Sequence, residues 1–155
     1  MKIKWKPLII SLAIPLAAGG LGALLGGGMD TYASLKQPPL SPPGWVFPIV
    51  WSILYLLMGY ASYRIYVSEA DQEDKRKALT FYGIQLLLNF LWPVVFFGLQ
   101  WYWAAFAVLL ALWVMIYLTM HLFGVIDDTA ENLLIPYLLW VTFAGYLNLG
   151  VALMN

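Results

Sequence analysis

The sequence contains no cysteine, one histidine and few charged residues, and each shortage removes a class of function. Without cysteine there is no disulfide framework, no thiolate metal site and no cysteine nucleophile. The one histidine, His121, has no second ligand clustered near it, so we predict no metal site. The chain also lacks a nucleophile motif, a phosphate-binding loop and paired buried carboxylates, which leaves ordinary enzymatic catalysis without support.

Hydrophobic residues are in large excess instead. They make up 63% of the chain, charged residues make up 10%, and the mean hydropathy is +0.79. A soluble domain of ordinary composition is far less apolar, so we predict an integral membrane protein. About 20 apolar residues are needed to cross a bilayer as a helix, and five runs are long enough. We predict a single domain over residues 1–155, an all-α bundle of five transmembrane helices at 8–29, 45–67, 78–98, 101–124 and 133–153.

The first apolar run follows three lysines, a pattern that is also typical of a cleaved signal peptide. It is longer than a usual signal core, and Ala18, Gly22 and Gly26 repeat at every fourth position. Such a stripe of small residues allows two membrane helices to pack closely. We therefore expect this run to be retained as a helix of the bundle.

The distribution of basic residues predicts the orientation, because positive charge is retained on the cytoplasmic side. Lys36 alone falls on the far side of the membrane from the amino terminus. Seven basic residues fall on the amino-terminal side: Lys2, Lys4, Lys6, Arg64, Lys75, Arg76 and Lys77. We expect a bacterial cell membrane with the amino terminus inside and the carboxyl terminus outside. Because topology accounts for the basic residues, none is left over for a nucleic-acid partner.

The first connection, about residues 30–44, has a composition that stiffens its backbone. The stretch "LKQPPLSPPGWVFPIVW", residues 35–51, contains five prolines and two tryptophans. Proline fixes φ near −65° and disfavours helix in the preceding residue, so this segment is held extended. We interpret it as a lid on the outer face.

Aromatic and amide residues recur at helical spacing in three of the predicted spans. The sets are Trp51, Tyr55, Met58 and Ser62; Gln85, Asn89, Trp92 and Phe96; and Trp140, Ala144, Leu147 and Asn148. Amides are costly to expose to lipid, so these faces should point into the bundle. The rise of about 1.5 Å per residue predicts one cavity beneath the lid, with Trp140 as part of its floor. The alternative is that the amides only join helices and the rings form interfacial belts.

Two charged features near the inner side have simpler interpretations. Arg64 lies close to a helix end, where its side chain can reach water. The segment "DDTAEN", which contains Asp127, Asp128 and Glu131, is typical of a helix amino-terminal cap rather than of a cation site.

Three motifs resemble the family of tryptophan-rich sensory proteins, which includes the mitochondrial translocator protein or peripheral benzodiazepine receptor. "SPPGWVFPIVWSILYLLMGY", residues 41–60, is similar to the family's loop and second helix. "QLLLNFLWPVVFFG", residues 85–98, is similar to its third helix, and "LLIPYLLWVTFAGYLN", residues 133–148, to its fifth. The resemblance covers most of the chain from residue 30.

This resemblance implies a five-helix bundle, usually a homodimer, whose first loop closes over a pocket for porphyrins. Some members also bind cholesterol and benzodiazepine-like drugs. No obligatory cofactor is implied; protoporphyrin IX is the expected ligand, with membrane lipid around it. The matching ligand-binding positions are Tyr32, Pro43, Trp51, Tyr55, Asn89, Trp92, Trp140, Ala144 and Leu147.

The chain departs from the family pattern at two places. The loop's usual tryptophan is replaced by Leu40, so one ring that could seal the lid is missing. The family's cholesterol motif needs a basic residue shortly after its tyrosine, but no basic residue follows Lys77, which leaves Tyr146 without a partner. We therefore do not predict specific cholesterol binding.

Three functions remain as hypotheses at this point. The first is a tetrapyrrole-binding protein that acts in sensing, regulation or transport. The second is an enzyme that degrades porphyrin with light and oxygen, with Trp51 and Trp140 as electron donors and the chemistry supplied by the excited ligand. The third, an exporter of apolar solutes, is disfavoured because the chain shows neither an internal repeat nor a buried charge for ion coupling.

Overall fold

The computed structural model describes residues 2–26 and 30–155, and within those ranges the regular secondary structure is helical. The helices are α1 (Trp5–Leu25), α2 (Asp30–Ser34), α3 (Val46–Tyr66), α4 (Gln72–Pro93), α5 (Tyr102–Ile126), α6 (Asp128–Leu133) and α7 (Ile135–Met154). A π-helical turn, Val94–Gly98, continues α4. Five of these units are long and apolar enough to cross a membrane, which confirms the predicted five-helix bundle. The side of the membrane that each end faces stays a prediction.

The largest difference from the predicted spans is at the start of α4, which begins at Gln72 rather than at residue 78. The added turn is charged, and its acidic residues Glu73 and Asp74 lie in the first turn. Negative charge there interacts favourably with the helix dipole, so the helix extends beyond its apolar part. The first helix, α1, ends at Leu25, and residues 27–29 of the predicted first span lie outside the described residues.

The small residues of α1 allow its backbone to approach α4 closely. A Cβ atom added to Gly22 would lie 2.9 Å from the Phe90 carbonyl oxygen, and one added to Gly26 would lie 2.7 Å from the Pro93 carbonyl oxygen. Distances that short are not tolerated by real Cβ atoms, so only glycine permits this packing. The predicted packing stripe is therefore used at Gly22 and Gly26, whereas Ala18 is half-buried.

A chain of hydrogen bonds connects α3, α4 and α7 inside the bundle. The Tyr55 hydroxyl donates to Asn89 Oδ1 at 3.1 Å, and Asn89 Nδ2 donates to the Tyr137 hydroxyl at 2.7 Å. The Tyr137 hydroxyl in turn donates to Gln85 Oε1 at 2.6 Å. Asn89 and Gln85 are both buried, and lipid offers such groups no alternative partner, so these bonds tie the three helices together. We call these four residues the polar chain.

An ion pair joins α3 to the α5–α6 connection at the basic end of the bundle. Arg64 Nε lies 2.9 Å from Asp127 Oδ2. The sequence predicts only that the Arg64 side chain reaches water, whereas the structure gives it a protein partner as well. Asp127 Oδ1 also accepts the backbone N–H of Thr129 at 2.9 Å. The predicted helix cap is thus confirmed, and the same carboxylate serves both contacts.

The proline loop covers the other end of the bundle and is docked on α7. The Tyr146 hydroxyl donates to the Pro39 carbonyl oxygen, and Asn155 exchanges two hydrogen bonds with the backbone of Lys36 at 3.2 and 2.9 Å. Gly150 lies directly under the Pro38 ring and leaves no room for a side chain. The loop is therefore attached along much of the carboxyl-terminal half of the last helix.

Replacing Tyr137 by phenylalanine tests whether the polar chain holds the bundle. The change leaves Asn89 Nδ2 and Gln85 Oε1 buried without their partner, which should cost about 1 to 2 kcal/mol of unfolding free energy. Thermal unfolding in detergent, followed by circular dichroism, measures the loss. Tyr117→Phe is the matched control because that side chain is exposed at 44%. Equal melting temperatures for the two variants would contradict the assignment.

Candidate functional site

A cavity of about 300 Å³ lies between α1, α3 and α4 in the half of the bundle nearest the proline loop. We call it the main cavity. Its lining residues are Leu16, Gly19, Gly20 and Ala23 of α1, Phe47, Pro48, Trp51, Ser52 and Tyr55 of α3, and Asn89, Trp92, Pro93 and Phe97 of α4 and its π turn. The lining is almost entirely apolar, and no charged residue belongs to it. Such a site suits a flat apolar ligand that makes few polar contacts.

Tryptophan rings form two walls of the main cavity and are held in place by their neighbours. Trp51 stacks on Tyr55 with ring centroids 5.6 Å apart, and Trp92 stacks on Phe96 at 5.1 Å. Trp92 Nε1 also donates to Asn148 Oδ1 at 2.9 Å, which fixes the orientation of the indole. The walls are therefore positioned before any ligand arrives.

The π turn after Pro93 adds a third aromatic group to this wall. Its backbone bond from Leu99 N to Val94 O, 3.0 Å long, widens the helix by one residue. Phe97 then packs edge-on against Trp92, with centroids 5.8 Å apart. Turns of this kind are frequent at functional sites, and here the turn brings Phe97 to the cavity.

A second, much smaller space lies directly beneath the proline loop. We call it the loop-side cleft; its volume is only about 20 Å³. It is lined by Tyr32, Ser41, Phe47, Trp51, Trp92, Phe96, Phe97, Trp140, Ala144, Leu147, Asn148 and Val151. Four of these residues also line the main cavity: Phe47, Trp51, Trp92 and Phe97. The two spaces are thus neighbours divided by a wall one side chain thick.

The sequence analysis missed two of the four shared residues: Phe97, described above, and Phe47. Its ring lies 5.0 Å from the ring of Tyr32 and 5.8 Å from that of Trp140, measured between centroids, and is edge-on to both. It therefore fills the space between the loop and α7. The signal was present in the sequence, because Phe47 precedes Trp51 by four residues, as Trp51 precedes Tyr55.

The predicted ligand-binding residues are divided between the two spaces rather than lining one volume. Trp51, Tyr55, Asn89 and Trp92 line the main cavity. The loop-side cleft receives Tyr32, Trp140, Ala144 and Leu147, together with Trp51 and Trp92. Pro43 lines neither space: it is exposed, and its carbonyl oxygen accepts the Val46 N–H at 3.1 Å where α3 begins.

Trp140 lines the loop-side cleft and not the main cavity, whereas the sequence predicts it as part of the floor of a single cavity. Its ring contacts Phe47, and its Nε1 atom is buried with no hydrogen-bond partner among the described residues. The ring that packs edge-on against Trp51 is that of Tyr137, one turn earlier on α7, at a centroid distance of 6.2 Å. The polar chain therefore supports Trp51, and Trp140 retains an unused N–H donor.

The loop end of the site is neutral. The Tyr32 hydroxyl donates to the Pro42 carbonyl oxygen at 2.7 Å, and burial raises the pKa of this hydroxyl above its usual value, while a contact with Ser41 opposes the rise. The group stays protonated at physiological pH. In residues 2–26 and 30–155 there is also no cluster of three side chains that could ligate a metal ion.

Leu40, at the position where the resemblance implies a loop tryptophan, lies outside the site. Its φ angle is 70°, in the left-handed region, and the side chain is 85% exposed. A side chain held in that turn lines neither the main cavity nor the loop-side cleft. The missing ring therefore leaves both linings unchanged in this arrangement of the loop.

Comparison with known proteins gives one consistent result. Residues 11–154 match the TspO/MBR family. A tryptophan-rich sensory protein of Cereibacter sphaeroides is 38% identical over 155 residues, which cover all of this chain and 95% of that protein. A translocator protein of Bos taurus is 37% identical over 147 residues, or 93% of this chain and 87% of that protein. The similarity thus extends across the whole bundle.

Two adjacent glycines provide a test of the cavity wall. A Cβ atom at Gly19 would overlap the Tyr55 ring, whereas one at Gly20 would meet nothing within 4 Å, although both residues line the main cavity. Gly19→Ala should displace Tyr55 from Asn89 and cost about 1 to 3 kcal/mol. Gly20→Ala should be neutral or stabilising by up to about 1 kcal/mol, because alanine favours helix. Thermal unfolding in detergent compares them, and equal effects would contradict the packing described.

Proposed function

The chain belongs to the TspO/MBR family, and from that premise we propose that this membrane protein is a receptor for tetrapyrroles such as protoporphyrin IX. The observation that carries the proposal is the main cavity, in which indole walls from two helices face an apolar space. Flat rings gain stabilisation there by stacking and by burial of apolar area. Other large flat apolar molecules, including benzodiazepine-type drugs, would use the same walls.

The volume of the main cavity indicates that the site would have to enlarge when a tetrapyrrole binds. The main cavity alone, at about 300 Å³, is at the lower limit for a ligand pocket. A tetrapyrrole would therefore need the loop-side cleft as well, and the two spaces join if Phe47 turns away from Trp140. Trp140 Nε1, which has no partner among the described residues, would then be available to an acceptor atom of the ligand.

The loop would act as the lid in this scheme. Its attachments to α7 come from Tyr146 and Asn155, on the same helix that carries Trp140 and Ala144. A ligand that separates Phe47 from Trp140 would disturb both α7 and the loop resting on it. Ligand occupancy would thereby change the outer surface of the protein, which is the requirement for sensing or regulated transfer.

Paired tryptophan substitutions test the site. We expect Trp51→Phe with Trp140→Phe to weaken protoporphyrin IX binding about tenfold, or about 1.4 kcal/mol, since phenylalanine keeps part of the roughly 1 kcal/mol that each indole adds beyond its area. Titration of the porphyrin Soret band gives the dissociation constant, and tryptophan quenching gives an independent readout. The control is Trp101→Phe with Trp103→Phe, because these rings are 61% and 57% exposed.

Equal affinities of the two double variants would overturn the pocket assignment. The same samples, kept in light and in darkness and examined by mass spectrometry, separate binding from degradation. Unchanged porphyrin in light, with protein in excess, is the expected result for a receptor. New oxidised products that disappear in the Trp51 and Trp140 double variant would favour the photo-oxidative enzyme instead.

Removing one loop attachment tests the lid. Tyr146→Phe deletes the hydroxyl that donates to the Pro39 carbonyl oxygen, a bond worth about 1 kcal/mol. We expect protoporphyrin IX to dissociate about fivefold faster. Stopped-flow measurement with an excess of competing porphyrin gives the rate, with Tyr117→Phe as control. A dissociation rate equal to that of the control would show that the loop does not limit release.

A further inference from the structure

A second groove, separate from the ligand site, lies in the half of the bundle that contains the basic residues. Its volume is about 630 Å³, and it shares no lining residue with the main cavity. α1 contributes Ile10 and Ile14 to its walls, and α4 contributes Leu79, Gly83 and Leu86. We call it the basal groove. It is mostly apolar and lies between α1 and α4, and Ser62 and Tyr66 of α3 also belong to its lining.

Positive charge surrounds the end of the basal groove nearest the amino terminus. Lys6 lines the groove itself. An adjoining hollow of about 570 Å³, which shares Tyr66 and Leu79 with the groove, is lined by Lys4, Lys75 and Arg76. No acidic residue belongs to either lining. Four cations from α1, α4 and the chain before α1 therefore converge on one rim.

Part of this basic rim is held in place by the protein. The backbone N–H of Lys4 donates to the Tyr63 hydroxyl at 2.9 Å, which fixes the chain before α1. Lys75 Nζ donates to the Ser68 carbonyl oxygen at 2.9 Å and lies 6.0 Å from the centre of the Tyr66 ring. The remaining donors of Lys75 and the side chains of Lys6 and Arg76 face no carboxylate in the linings. The rim is thus ordered and has spare positive charge.

We infer that the basal groove binds an anionic phospholipid of the membrane leaflet at the basic end. One acyl chain would lie in the groove against Ile14, Gly83 and Leu86, and the phosphate would lie among Lys4, Lys6 and Arg76. Basic pockets between membrane helices are suited to anionic headgroups, and each cation near the surface contributes of order 1 kcal/mol. An apolar groove that continues into a cationic hollow matches both halves of such a lipid.

Gly83 explains why the groove has room for a chain. It is exposed, and a Cβ atom there would meet nothing within 4 Å. The missing side chain at Gly83 therefore leaves open space along α4. Gly22 differs, because its missing side chain allows tight helix packing. This site is independent of tetrapyrrole binding, since it lies in the other half of the bundle and uses no residue of the main cavity.

A charge-matched pair of triple variants tests the headgroup contact. Delipidated protein in detergent is titrated with phosphatidylglycerol or phosphatidylcholine of identical chains, and bound lipid is counted by native mass spectrometry. We expect phosphatidylglycerol to bind at least tenfold more tightly. Lys4→Gln, Lys6→Gln and Arg76→Gln together should abolish that preference. The control, Lys2→Gln, Lys36→Gln and Lys77→Gln, loses the same charge outside the two linings and should preserve it.

A pair of glycine variants tests the acyl-chain contact without any change of charge. Gly83→Leu should fill the groove and reduce binding of both lipids at least tenfold. Gly145→Leu is the control, because a Cβ atom there also meets nothing within 4 Å and Gly145 lines neither hollow. Equal binding of the two lipids by the unmodified protein, or equal losses in the matched variants, would overturn the inference. Complete displacement by inorganic phosphate would also overturn it, since that result indicates a site for a free anion.

Discussion

The hydrogen-bonded chain from Tyr55 through Asn89 and Tyr137 to Gln85 is the constraint on which the rest of the structure depends. Lipid cannot hydrogen-bond these groups, and the bonds between them hold α3, α4 and α7 together, while Gln85 Nε2 is buried without a partner among the described residues. The first member, Tyr55, is also a wall of the main cavity, and Tyr137 supports Trp51 from behind. Bundle stability and cavity shape are therefore set by the same contacts.

The site that results is divided, and the division has a consequence for function. Phe47 is in contact with both the loop, through Tyr32, and α7, through Trp140. Because the loop is itself attached to α7, the Phe47 side chain, the loop and α7 form one connected unit. A ligand that enlarges the main cavity toward the loop acts on this unit, which links the proposed binding event to the surface of the protein.

The two ends of the bundle are built on different physical principles. The loop end is held by apolar contacts, backbone hydrogen bonds and edge-on aromatic contacts. The basic end relies on charge. Asp127 pairs with Arg64 and caps α6, while four other cations line the basal groove or the adjoining hollow, and neither lining contains an acidic residue. The proposed apolar ligand and the proposed anionic lipid would therefore not compete for the same residues.

Much of the architecture follows from the sequence alone, because hydropathy and helical period are local properties. Run length was enough for the five spans, the local chemistry of Asp127 for its cap, and spacing by three and four for the inward faces of Trp51, Asn89 and Trp92. The start of α4 was missed because hydropathy marks only the apolar part of the helix, whereas the charged first turn is stabilised by the helix dipole. Periodicity says which way a side chain points but not what it meets. Only the tertiary packing of the helices decided the features that join segments far apart in the chain. These are the contact of Phe47 with Trp140 in the loop-side cleft, the pairing of Arg64 with Asp127, and the convergence of Lys4, Lys6 and Arg76.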